Sequence, residues 1–302
     1  MKSYIERLSD NHLAIFLFHG VIKKQKHKIR NHNRKHIEKD YFFNILKKIK
    51  DIGYPLSMDE LVCYHKEKKA FPPKSFIITF DDGFENNYSI AAPILEDLKL
   101  PATFYITTDF IERNQMSWID KIEYCLEHSV KGTLLLPWEK NPINFQTITD
   151  KLDILTQIRS MVKKNKNINL DQLVNDFFSQ CELPLIDRNE TSLDLKMNWK
   201  QVYELSLNKN FIIGGHSHTH KILSFLDDND LQYEIEKSID MIKKNIHFDI
   251  EHYSYPEGLK FHFSEKVINT LKKNSIICCP TAEDGVNTIN DDLFFLKRIP
   301  VT

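Results

Sequence analysis

No apolar run in this 302-residue chain approaches the roughly 18 residues that a membrane-spanning helix needs; the longest, such as Ala14 to Phe18, have the length of buried strands. An excess of charge is missing too. The 41 lysines and arginines face 42 acidic residues, a formal net charge of −1, which argues against a chain built for non-specific nucleic-acid binding. Cysteines are few, odd in number and scattered (Cys63, Cys125, Cys181, Cys278, Cys279), and the adjacent pair would point to opposite faces of a strand. That pattern excludes a disulfide framework and favours a reducing compartment. The start, Met1 to Arg7, carries no apolar stretch and no small-residue cleavage site, so no secretory signal is visible and a cytoplasmic location is expected. There is neither an internal repeat nor a low-complexity tract.

What is present is an ordinary globular composition, 41% hydrophobic and 27% charged. The length exceeds one usual domain, although α/β barrels reach it as a single unit. Short apolar runs rich in β-branched and aromatic residues recur at 14–18, 75–80, 102–107, 211–213 and 275–279, as expected for strands buried on both faces. Between the second and third, Ile90, Ala91, Ile94, Leu95 and Leu98 form a helical stripe, completing a βαβ unit. Further stripes run from Leu231 to Ile246 and from Val267 to Leu271. The fold class is α/β, one domain over 1–302. Residues 112–200 break the rhythm and read as a mainly helical insertion, with Leu152, Leu155, Ile158 and Val162 at helical spacing and polar stretches at 163–167 and 187–191. Residues 23–39 are basic and histidine-containing, a solvated loop or a contact for an anionic substrate or lipid headgroup. Peripheral membrane contact is the only membrane role left open.

Two motifs carry chemistry. Thr79-Phe80-Asp81-Asp82-Gly83 puts adjacent carboxylates at the end of an apolar strand, where α/β folds place active sites. Two ionised carboxylates repel unless a cation or proton holds them. His216-Ser217-His218-Thr219-His220 follows a strand and a double glycine, and histidines four apart at a turn can present two nitrogens to one ion. With Asp82 they make an open His₂Asp site with room for water and substrate. His218 points away from that pair and is left beside the site or at the surface. Such donors accept zinc, cobalt, nickel or iron, with availability deciding and zinc the ion expected.

In this order the two motifs resemble the polysaccharide deacetylase family (carbohydrate esterase family 4, the NodB-homology domain), whose signatures read T-F-D-D-G and H-[ST]-x-x-H. The resemblance implies a distorted (β/α)7 barrel that uses a divalent metal to hydrolyse N-acetyl groups from sugars. It assigns Asp81 as general base and Asp82, His216 and His220 as metal ligands. The third family motif, R-x-P-[YFW], is altered here to Ser254-Tyr255-Pro256-Glu257. The arginine that normally holds the base is therefore missing, and Arg298 is the candidate substitute. The Glu257 N–H keeps the oxyanion role open, because that role needs geometry rather than a side chain. The late L-x-H motif is absent as well. Phe18-His19-Gly20 instead resembles the permuted branch of exopolysaccharide deacetylases, which makes His19 the candidate general acid.

The function expected is thus a metal-dependent N-deacetylase acting on an N-acetylated amino sugar or saccharide precursor of surface polysaccharide. Rival readings are an amidohydrolase or deformylase for a small non-sugar amide, and a catalytically silent carbohydrate-binding protein. Trp118, Tyr255 and Phe261 are candidates for stacking on sugar faces.

Overall fold

The computed structural model describes residues 2–186 and 191–302, with side chains from Tyr4 onward. The expected polar stretch at 187–191 therefore lies, except for Thr191, outside the described residues. In chain order the elements are α1 (Lys2–Ile5), β1 (Ala14–Phe18), β2 (Gly20–Ile22), β3 (His36–Glu38), α2 (Lys39–Ile52), β4 (Tyr54–Pro55), α3 (Met58–Glu67), β5 (Ser75–Phe80) and α4 (Ala92–Asp97). They continue with β6 (Ala102–Ile106), α5 (Thr108–Arg113), α6 (Trp118–His128), β7 (Gly132–Leu134), β8 (Ile143–Phe145), α7 (Ile148–Val162) and α8 (Leu170–Gln180). The last are α9 (Trp199–Ser206), β9 (Phe211–Gly215), α10 (Asp228–Ile246), α11 (Glu265–Lys273) and β10 (Ile299–Pro300).

The central sheet runs β10-β1-β5-β6-β9, all parallel, with β4 paired to the start of β5. Parallel bridges from Gly215 to Tyr253 and from His252 to Cys278 carry it round toward closure. This is the distorted (β/α)7 barrel expected. The strands are apolar on both faces because both are covered: β1, β5 and β6 are buried at every residue. A ladder of phenylalanines crosses the sheet, with Phe18, Phe80 and Phe104 stacked at centroid spacings of 5.4 and 5.1 Å. The same register pairs Phe18 with Phe80, so His19 and Asp81, one residue on, stand side by side at the C-terminal rim.

Helix starts follow the local chemistry. Ser57 with Glu60, Thr147 with Asp150 and Asn198 with Gln201 form capping boxes at α3, α7 and α9, each satisfying two otherwise unpaired donors. The stripes at 231–246 and 267–271 are α10 and α11, which bury Leu231, Ile235, Ile242, Val267 and Leu271. The 90–98 stripe opens as a π-helical turn at Asn87–Ala91 before α4.

Two expectations are revised. The run 275–279 is not a regular strand; only Cys278 bridges, while Cys279 N–H turns to Leu293 O at 3.0 Å. Cys278 and Cys279 do pack into different apolar clusters, as opposite faces require. The second is the end of the 112–200 insertion, which is mainly helical but rejoins the barrel before residue 200. Helices α6, α7 and α8 enclose a core of their own around Ile122, Leu126, Leu155, Ile158 and Phe177, together with an antiparallel hairpin, β7–β8. By Leu195 the chain is back on the barrel: Glu85 N–H donates to Leu195 O (2.8 Å) and Met197 N–H to Gly83 O (3.0 Å). No helix among the described residues is long and apolar enough to cross a membrane.

Candidate active site

Strand β5 delivers the two carboxylates. Asp81 N–H still pairs with Phe18 O at 3.0 Å, and then the chain turns, with Asp82 and Gly83 both left-handed (φ 77° and 83°). A non-glycine residue in that region is uncommon and costs of order 1 kcal/mol or more unless its surroundings fix it. Here the returning 195–197 segment clamps the turn from above.

The histidine motif is held as tightly. Gly214 and Gly215 are needed for close approach: a Cβ on Gly215 would sit 2.3 Å from the Tyr253 ring, and one on Gly214 2.8 Å from His252 O. After them, His216 N–H donates to Ile106 O (2.9 Å), Ser217 N–H to the Tyr253 hydroxyl (2.8 Å) and His220 N–H to Ser217 Oγ (2.9 Å). Glu234 accepts the N–H groups of His218 and Thr219, closing the turn. Phe110 stacks on the His220 ring with centroids 5.8 Å apart.

These two rims bring Asp82, His216 and His220 together, with one donor atom of each within 4.8 Å of the others. Asp82 Oδ1 lies 3.6 Å from His216 Nε2 and 3.2 Å from His220 Nε2. Buried and faced among the described residues only by these two ring nitrogens, that oxygen is an acceptor that a cation would satisfy. His216 Nδ1 is 2.6 Å from Ser254 Oγ and 3.0 Å from Ser254 O. As the carbonyl can only accept, Nδ1 carries the hydrogen and Nε2 presents its lone pair to the cluster. Burial pushes the His216 pKa down to about 4, keeping it neutral. Burial would raise the Asp82 carboxyl, but the His220 hydrogen bond and nearby charges hold it well below its ordinary value. His220 is opposed by burial yet raised by its hydrogen bond to Asp82. The donor set thus fits a divalent cation.

Asp81 sits beside this cluster without joining it, its Oδ2 3.9 Å from His216 Nε2. Arg298, fully buried, grips both of its oxygens at 2.8 Å, and its Nε donates to Thr281 O at 2.6 Å. Arg298 precedes β10, which lies one strand beyond β1 from β5, so the sheet order brings a residue 217 positions away onto the carboxylate. Burial acts to raise the Asp81 pKa; Arg298 and His216 outweigh it, and the group stays ionised. Ser254, at the position of the missing family arginine, donates to Asp81 Oδ1 (3.3 Å) and accepts from His216 Nδ1, joining the two halves of the site.

His19 directly follows β1, partly buried, its carbonyl accepting from Asn87 Nδ2 (2.7 Å). Burial lowers its pKa, and the charges of Asp82 and Asp81 act in the opposite sense. Glu257 has a left-handed backbone (φ 61°) and its carboxylate meets Lys163 Nζ at 2.5 Å. Burial would raise that carboxyl; the charges of Lys163 and His220 bring it down to about 2.

His218 stays out of the cluster, with Nδ1 2.8 Å from Thr108 Oγ1. Tyr255 is not a sugar platform: it is fully buried, stacked on Phe263 at 4.4 Å, with its hydroxyl donating to Phe294 O. Trp118 packs partly against the insertion core, whereas Phe261 is 77% exposed. In the basic segment, Arg30 pairs with buried Asp194 and Lys35 with Asp120 (2.6 Å), while Lys23, Lys24, Lys26 and Lys28 face solvent. Sequence reasoning missed Lys196. Its ammonium is buried 3.4 Å over the Phe84 ring with no hydrogen-bond partner among the described residues, and burial pushes its pKa down to about 8. Nothing local signals it, because it comes from the segment without a motif.

The polysaccharide deacetylase family profile matches residues 68–171 and 181–276, about two thirds of the chain and both motifs. The chain belongs to the polysaccharide deacetylase family. Within that family it shares 41% identity over 59 residues with the poly-β-1,6-N-acetyl-D-glucosamine N-deacetylase of Staphylococcus aureus, a match covering 20% of each chain. The matched part is therefore only a fifth of those curated relatives. Solved structures extend the likeness of fold over nearly the whole chain. The Streptococcus pyogenes deacetylase PplD, in complex with acetate, superposes with a TM-score of 0.60 at 15% identity, covering 97% of this chain and 93% of that one. IcaB from Ammonifex degensii gives 0.61 at 15% identity over 98% and 94%.

Proposed function

We propose that this polysaccharide deacetylase family member is a metal-dependent N-deacetylase that releases acetate from N-acetylated amino sugars of a surface polysaccharide or its precursor, with zinc as the resident ion. One observation carries the reading: a carboxylate locked by a bidentate arginine stands beside, but not inside, a His₂Asp donor cluster.

A divalent cation bound by Asp82, His216 and His220 supplies Lewis-acid polarisation of the acetyl carbonyl and makes water more acidic. The chain's own groups do the rest. Asp81 keeps a lone pair free on Oδ2 after accepting from Arg298, and takes the proton of the attacking water. Its depressed pKa means that it passes this proton on rather than storing it. His19, at the same level on the neighbouring strand, delivers a proton to the sugar nitrogen, since an amide anion is too basic to leave. The Glu257 N–H, among the described residues without an acceptor, is free to donate to the carbonyl oxygen as charge grows there. Water and the amide become acetate and a free amino sugar.

The Arg298 contact weighs against a silent binding protein, because it restores the grip on the base that the altered third motif had removed. Acetate release from a β-1,6-linked N-acetylglucosamine pentamer, measured with zinc and after chelation, tests the proposal. Turnover that needs zinc and is lost in Asp81→Asn supports it; formate or ammonia release from small amides alone would favour the amidohydrolase rival. The cytoplasmic location expected is part of the same proposal, and fractionation of native cells that found the protein secreted would overturn it.

A further inference from the structure

One tie between the insertion and the loop after Tyr255 runs through Lys163. Helix α7 ends at Val162, and the next residue, Lys163, makes two links to the loop after Tyr255. Its ammonium meets Glu257 Oε2 at 2.5 Å, and its carbonyl accepts from His262 Nε2 at 3.2 Å. The buried His262 ring passes the tie on, since Leu259 N–H donates to its Nδ1 at 3.2 Å. Between these links lie Glu257 and Gly258, both left-handed at 61° and 54°. Glycine adopts that conformation freely; glutamate does not, and needs surrounding contacts to hold it. On the barrel side the loop is fixed at Gly258, whose O accepts from Ala282 N–H (2.8 Å). On the other side only Lys163 holds the Glu257 carboxylate by an ion pair among the described residues. The anchor is itself braced: Arg159, one turn earlier in α7, pairs with Glu123 of α6 at 2.5 Å.

We propose that Lys163 is a positioning residue, through which the insertion fixes the left-handed Glu257 and so aims its N–H at the reacting carbonyl oxygen. This rests on the deacetylase reading and gives the insertion its role: it is the far jaw of the oxyanion loop. An oxyanion donor contributes only in the correct place, and a shift of about 1 Å costs on the order of 10- to 100-fold in rate.

The test uses the full-length zinc-loaded protein and the β-1,6-linked N-acetylglucosamine pentamer. Lys163→Met is expected to lower kcat by about 10- to 100-fold with KM within about twofold and zinc content unchanged. Lys163→Arg, which keeps the charge, should recover most of that loss, and Glu257→Gln should reproduce it from the other side even if Lys163→Met folds poorly. Amide exchange over 255–262 should accelerate in Lys163→Met while 214–220 keeps its protection. Unchanged kcat and unchanged exchange in both neutralising variants would overturn the proposal, as would Lys163→Arg being no better than Lys163→Met. If the wild type releases no acetate, the deacetylase reading fails, and the exchange comparison still decides whether Lys163 holds the loop.

Discussion

Replacing Arg298 by methionine removes a fully buried guanidinium that donates twice to Asp81 and once to the Thr281 carbonyl. The Asp81 carboxylate is then left buried with Ser254 Oγ, at 3.3 Å, as its remaining strong donor. Breaking one side of a buried ion pair costs about 3–5 kcal/mol, because the stranded charge is neither solvated nor paired. For a chain of this size that is a fall in Tm of roughly 5–8 °C. Arg298→Lys keeps the charge but cannot grip two oxygens at once, and should fall between. The double variant Asp81→Asn with Arg298→Met should lose less than the sum of the single losses, since neither then strands a charge. The pH dependence has a definite sign. Arg298 holds the Asp81 pKa below its ordinary value of 3.8, so the pair's stabilisation is complete above about 4 and is lost as pH falls through the depressed folded value. Without Arg298 the pKa rises, and the acidic limb of the rate profile moves to higher pH. Calorimetry, zinc content and pH–rate profiles read these effects. An Arg298→Met protein with wild-type Tm and an unmoved acidic limb would refute the assignment of Arg298 as the partner of the base.

Other outcomes follow from the same geometry. His19→Ala is expected to lower kcat by about 10²- to 10⁴-fold and to leave metal content intact, as checked by steady-state kinetics with elemental analysis; loss of the ion would make His19 a ligand instead. Gly215→Ala would push a methyl to within 2.3 Å of the Tyr253 ring, and thermal unfolding should show a loss of about 1–3 kcal/mol or more; an unchanged Tm would mean that the strands part easily. The hydrogen bond to Asp82 raises the His220 pKa above 6.5, so a cation must displace that proton. Zinc affinity measured by calorimetry should therefore weaken about tenfold per unit as pH falls below the raised value, and a flat profile would exclude His220 as a ligand.

The parts of the site legible in the sequence are those that one strand end carries by itself. Asp81 and Asp82 follow β5 directly, and His216 and His220 are separated by a single turn, so composition and spacing display them. Buried strands were readable for the same reason, because covered faces leave continuous apolar runs in β1, β5 and β6. What could not be read depends on chain segments meeting across the barrel. In the sequence Arg298 is only a candidate substitute for the missing family arginine; that it reaches Asp81 follows from β10 lying beside β1, an ordering that no local pattern encodes. Ser254 looks like a lost arginine in the sequence, yet its hydroxyl links His216 to Asp81. Lys163 and Lys196 come from the stretch between the motifs, where helical periodicity shows burial but not the barrel residue each ammonium faces. The 275–279 run misled for the converse reason: its residues are buried, but its backbone partners are irregular segments rather than a strand.

The central claim is that Asp82, His216 and His220 jointly hold one divalent ion while Asp81 stays outside its coordination. Elemental analysis after exhaustive dialysis against limiting zinc tests it most directly, comparing wild type with Asp81→Asn, Asp82→Asn and His220→Ala. The account predicts about one ion per chain in the wild type and in Asp81→Asn, and almost none in the other two. Full retention of zinc by Asp82→Asn and His220→Ala would contradict it.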